Sequence, residues 1–64
     1  MGSLQDTLVA LVRENDPVYI LTDMATAFRL EGERLDKHGT IRDAAKARKL
    51  QMISRKLQAI ANTL

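Results

Sequence analysis

The sequence has no cysteine and no tryptophan, a single proline, a single histidine and only two aromatic side chains, Tyr19 and Phe28. Each shortage closes a class of function. Without cysteine there are no disulfides, thiolate metal sites or cysteine nucleophile, and nothing points to an oxidising compartment, so a cytoplasmic location is expected. With so few aromatics, and neither in the basic half of the chain, base stacking has no platform. His38, the one histidine, sits beside Asp36 but cannot alone supply the ligand set of a zinc site, and it reads as a helix C-terminal cap.

Other shortages concern long runs and motifs. No apolar run approaches the roughly 20 residues of a membrane helix. The N-terminus also lacks the charged, apolar and small-residue order of a secretory signal. A soluble chain with no membrane partner is therefore expected. The opening Met1-Gly2-Ser3 resembles the start of a myristoylation site, but Asp6 stands where that pattern wants Ser or Thr, and a cloning remnant accounts for residues 1–3 as well. Gly2, Gly32 and Gly39 are too scattered for a phosphate-cradling loop. Ser3, Ser54 and the carboxylates form no nucleophile, base and orienting group at a recognisable spacing. An enzyme, a cofactor and a small-molecule substrate are not expected.

What is present is charge, unevenly placed. The net charge of the 64 residues is +2. Residues 1–31 hold five acids and two bases, net −3, whereas residues 32–64 hold three acids and eight bases, net +5. This asymmetry suits either an anionic partner for the second half or pairing between the halves.

Periodicity then organises the chain into three helices, with no strand, in one small domain. The first runs from about 4 to 14 behind Ser3 and Asp6 as a weak capping box, with Leu4, Leu8, Leu11 and Val12 on one stripe. Pro17 suits a first helical position and makes Asp16 an N-cap, starting a helix from about 17 to 37. Leu21, Met24, Phe28 and Leu35 share one of its faces. Gly32 lies on the same face, where it permits close approach of a neighbour. Gly39 fits a left-handed C′ residue, and Thr40 with Asp43 forms a capping box that starts the third helix, about 41 to 63. There Leu50, Ile53, Leu57, Ile60 and Leu64 step by alternating threes and fours, the spacing of a bundle seam. Ala44, Ala45 and Ala47 let another backbone come near at its start.

An antiparallel hairpin of the second and third helices places residues opposite each other when their numbers add to about 77, within a turn of error. Ile53 then meets Met24, and Leu57 meets Ile20. Lys46 and Lys49 answer Glu31 as register charges. Arg42, Arg48 and Lys56 face no expected acid and are the candidate anion contacts.

The expected fold is all-α: a short N-terminal helix followed by a long antiparallel helical hairpin, completed by oligomerisation into a helical bundle. The expected function is that of a small non-enzymatic adaptor or regulator. Its amphipathic helices bind another copy or a partner protein helix through Leu21, Met24, Phe28, Leu50, Ile53, Leu57, Ile60 and Leu64. The alternative is a small basic nucleic-acid binder that contacts the backbone through Arg42, Lys46, Lys49 and Lys56.

Overall fold

The computed structural model describes residues 2–64 as three α-helices: α1 (Ser3–Glu14), α2 (Pro17–His38) and α3 (Ile41–Thr63). No strand occurs among these residues, so the all-α class holds. Met1, part of the cloning-remnant reading, lies outside the described residues.

Local chemistry sets the boundaries. The Asp6 amide donates to the Gly2 carbonyl at 2.8 Å, which brings Ser3 into the first turn of α1. Ser3 is thus a helical residue and not the expected cap, and its carbonyl accepts the Thr7 hydroxyl at 2.9 Å. Gly2 precedes the helix with no side-chain cap. At the other end the Asn15 side-chain amide donates to the Leu11 carbonyl at 2.9 Å, and Asn15 itself is extended. The Asp16 carboxylate accepts from the Val18 amide at 2.9 Å, satisfying one of the orphan donors at the start of α2 while Pro17 occupies its first turn.

The corner between α2 and α3 departs from expectation in one respect. Gly39 is extended, with φ −84° and ψ 172°, so it is not a left-handed C′ residue. Glycine is favoured there by space: a Cβ would stand against the Leu35 carbonyl oxygen and 2.7 Å from Asp43 Cβ. The Gly39 amide donates to that same carbonyl at 2.8 Å, which holds the chain close over the helix end. Asp43 then closes the start of α3, its Oδ2 accepting from the Thr40 amide at 3.0 Å and from the Thr40 hydroxyl at 3.4 Å.

From this corner α2 and α3 run antiparallel and in contact. Ser54 stands opposite Ala25, joined by a hydrogen bond, and Gly32 stands opposite Ala47. Both pairs are equidistant from the Gly39–Thr40 peptide bond, which puts the register one residue per helix beyond the expected one. The residues at the centre of the seam are small: Ala25, Gly32, Ala47, Ser54 and Ala61 are buried, and Leu35 is the only large side chain among the described residues that joins them. Ala47, Ser54 and Ala61 recur at the seven-residue repeat of a coiled coil, as do Ala25 and Gly32.

α1 adds no buried residue and meets the hairpin near the start of α2. The result is flat, 37 × 33 × 13 Å across its Cα atoms, one helix layer thick. Its radius of gyration is 13.3 Å, against about 11 Å for a compact domain of this length.

Candidate interaction surface

The two sides of this layer differ in chemistry, and helical geometry sorts them. At about 100° per residue, positions one and four before or three after a seam residue fall to one side of it. In an antiparallel pair, equal offsets on the two helices fall on the same side. Leu21, Met24 and Phe28 flank Ala25 in this way; Leu50, Ile53 and Leu57 flank Ser54. All six therefore share one face. The opposite offsets give Arg29 and Glu33 on α2 with Gln51 and Arg55 on α3, which border a common polar groove beside Ser54.

The expected seam of α3 is thus divided by depth. Leu50 and Leu57 are half-buried against α2. Ile53 is 36% exposed, Ile60 49% and Leu64 74%, so these three are not part of the intramolecular core. The physical reason is the close approach of the helices. Where backbones come near, only small side chains fit at the centre, and large ones are displaced to the flank. Leu21, Met24 and Phe28 are likewise half-buried.

Gly32 sets this closeness. A Cβ on it would lie 2.9 Å from Gln51 Cγ, 3.1 Å from the Ala47 carbonyl oxygen and 3.4 Å from Leu50 Cβ. The close-approach role expected for it is the one it has. Ser54 is the seam residue that apolar periodicity missed. Its hydroxyl is satisfied by a backbone carbonyl and so behaves as a small core residue; the seven-residue spacing from Ala47 and Ala61 was the available signal.

The register charges are arranged differently from expectation. Arg34 holds Glu31 with two bonds, Nε to Oε1 at 2.8 Å and Nη2 to Oε2 at 2.5 Å. Arg29 pairs with Glu33 at 3.1 Å. Both ion pairs found among the described residues are therefore internal to α2, and neither Lys46 nor Lys49 closes one across the hairpin. A partner three or four residues along the same helix is in reach whatever the tertiary register, and the arginine fork fits a carboxylate in two places. The Arg34 bond holds the Glu31 carboxyl below its ordinary range against a smaller opposing effect of desolvation, with a lesser contribution from the nearby Lys46 charge. Lys46 and Glu31 thus lie in each other's field on the apolar side. Arg42, Lys46, Arg48, Lys49 and Lys56 are all exposed.

α1 extends the apolar face. Leu8, Leu11 and Val12 border an open groove with Ile20, Met24 and Ala27 of α2, and Leu4 is 72% exposed. In total the chain exposes 5251 Å², whereas a folded monomer of 7.2 kDa exposes about 4,100 Å², an excess of about 1,100 Å².

Among the described residues no group of three or more His, Cys, Asp or Glu side chains could hold a metal ion, and no helix is long and apolar enough to cross a membrane. Comparison with protein-family models, curated proteins and solved structures finds no match for the chain.

Proposed function

We propose that this chain is a non-enzymatic association module, an adaptor or regulator that works by covering the apolar face of its helical layer with another protein helix surface. The observation that carries the reading is the pairing of a small-residue seam with a large-residue face. The hairpin closes on alanine, glycine and serine, and along one side it leaves Ile53 and Ile60 exposed and Leu21, Met24, Phe28 and Leu57 only half-buried. A contiguous apolar face of this kind on a small chain marks an interaction site. Cytoplasmic residence belongs to the same proposal, supported by the absence of cysteine.

The test compares Ile53→Asp with Arg55→Asp, which alters the opposite face. Sedimentation across a concentration series and the fluorescence of an apolar dye are followed for each. Loss of association or of dye binding is expected in the first variant only. A wild-type chain that stays monomeric, unfolds cooperatively and leaves the dye dark overturns the reading.

The exposed row Arg42, Lys46, Lys49 and Lys56, with no ion-pair partner among the described residues, supports a second reading as contacts to a nucleic-acid backbone. That reading requires a mobility shift that weakens with salt and disappears in Lys46→Glu, Lys49→Glu. Wild-type protein that shifts neither DNA nor RNA at low salt ends it.

A further inference from the structure

We infer that the cover of this face is a second copy of the same chain, related by a two-fold axis parallel to the helices, with α3 of each copy lying over α2 of the other. The inference rests on the association reading above and adds the partner's identity and orientation.

Area points to a partner of about this size. The excess surface of about 1,100 Å² per chain matches the share of each partner in an obligate homodimer, which buries about 2,000 Å² or more in total. Among the described residues Leu35 is the only large apolar side chain buried within the single chain, so the other large apolar residues have yet to find their core.

Shape permits self-association. A two-fold contact requires the surface to complement itself. α2 has 22 residues and α3 has 23, so two hairpins placed face to face overlap along their full length. In the proposed arrangement each helix has an antiparallel neighbour on both sides, as in an up-and-down four-helix bundle. Phe28 and Met24 then lie over Leu50 and Ile53 of the second copy.

Charge chooses the orientation. α3 carries six bases and one acid, net +5, whereas α2 carries three bases and four acids, net −1, and residues 1–16 carry one base and three acids, net −2. The alternative two-fold, with its axis across the helices, lays α3 on α3 and stacks the two most basic elements. Placing α3 over α2 instead brings Lys56 towards Asp23 and Lys46 towards Glu31 of the second copy. Like charges placed opposite one another are what specific interfaces avoid.

Sedimentation of the wild-type chain tests the partner, and a spin label tests the orientation. A mass of twice 7.2 kDa is expected, falling to one chain in Ile53→Asp, Ile60→Asp. Because the chain has no cysteine, a single label can be attached through His38→Cys at the exposed end of α2. The proposed axis puts both hairpin corners at the same end, with labels under about 20 Å apart; the alternative separates them by about a helix length, roughly 33 Å. The long distance, or a mass above two chains, overturns the proposal. A monomer that binds the apolar dye on this face overturns the second copy while leaving the association reading standing. A cooperative monomer that leaves the dye dark overturns both. If the aspartate variant fails to fold, the wild-type mass and the label distance still decide.

Discussion

The Ser54 hydroxyl donates to the Ala25 carbonyl oxygen at 2.5 Å across the buried seam between α2 and α3. It is the only side-chain hydrogen bond joining the two helices among the described residues, and it lies where they pack on alanine and glycine. A serine is thus small enough for the seam and is not left unsatisfied in it, since no buried side-chain nitrogen or oxygen among the described residues lacks a partner.

Substitutions at Ser54 should therefore order by size more than by polarity. Ser54→Ala removes a hydrogen bond worth about 1 kcal/mol net, and the Ala25 carbonyl keeps its partner within α2. Ser54→Leu forces a large side chain between close backbones and should cost about 3 kcal/mol or more. Chemical denaturation at one fixed protein concentration reads both. A Ser54→Leu chain as stable as the native one would mean the seam is open at this position.

Gly32→Ala sets two effects of opposite sign against each other. Alanine in a helix interior gains about 1 kcal/mol in propensity. The new Cβ meets the flexible Gln51 Cγ at 2.9 Å, which can move, and the Ala47 carbonyl oxygen at 3.1 Å, which belongs to the backbone and cannot move without separating the helices. We expect the clash to win, with net destabilisation of about 1 kcal/mol, partly relieved by adding Gln51→Ala. A higher melting temperature for Gly32→Ala alone would contradict the close approach.

Gly39 distinguishes two reasons for a glycine. Were it a left-handed cap, asparagine would serve there nearly as well. Its φ is −84° and its missing Cβ position is filled by Leu35 and Asp43, so Gly39→Asn and Gly39→Ala should destabilise alike, each by about 1 kcal/mol or more. Thermal unfolding of the pair decides, and an asparagine variant close to wild type would restore the left-handed reading.

The helix boundaries were legible in the sequence because Asp16, Pro17, Thr40 and Asp43 act on backbone within a few residues of themselves. The face of α3 turned towards α2 was less so. The helix carries two stripes, the large Leu50, Ile53, Leu57, Ile60 and Leu64 and the small Ala47, Ser54 and Ala61. Apolar periodicity weights size and hydrophobicity, whereas a close helix pair selects the small stripe for its centre and leaves the large one on its flank. The bonded partner of Glu31 was hard to read for a related reason: Lys46 and Lys49 need a tertiary register to reach Glu31, whereas Arg34, which bonds it, needs only the helix both residues share.

That local pair has a pH dependence with a definite sign. Arg34 lowers the Glu31 pKa in the folded chain by donating to its carboxylate. A carboxyl whose folded value lies below its unfolded one stabilises the fold above the unfolded value, and the stabilisation is lost as the pH falls through the folded one. The pair is exposed and salt-screened, so the effect is small. An NMR titration of Glu31 should therefore give a midpoint below the ordinary glutamate range, and Arg34→Gln should move it upward. Lys46→Gln should move it in the same direction by less, because Lys46 acts through its field and not through a bond. A larger shift from Lys46→Gln than from Arg34→Gln would mean that Glu31 is held across the hairpin after all, and that the lysines do set its register.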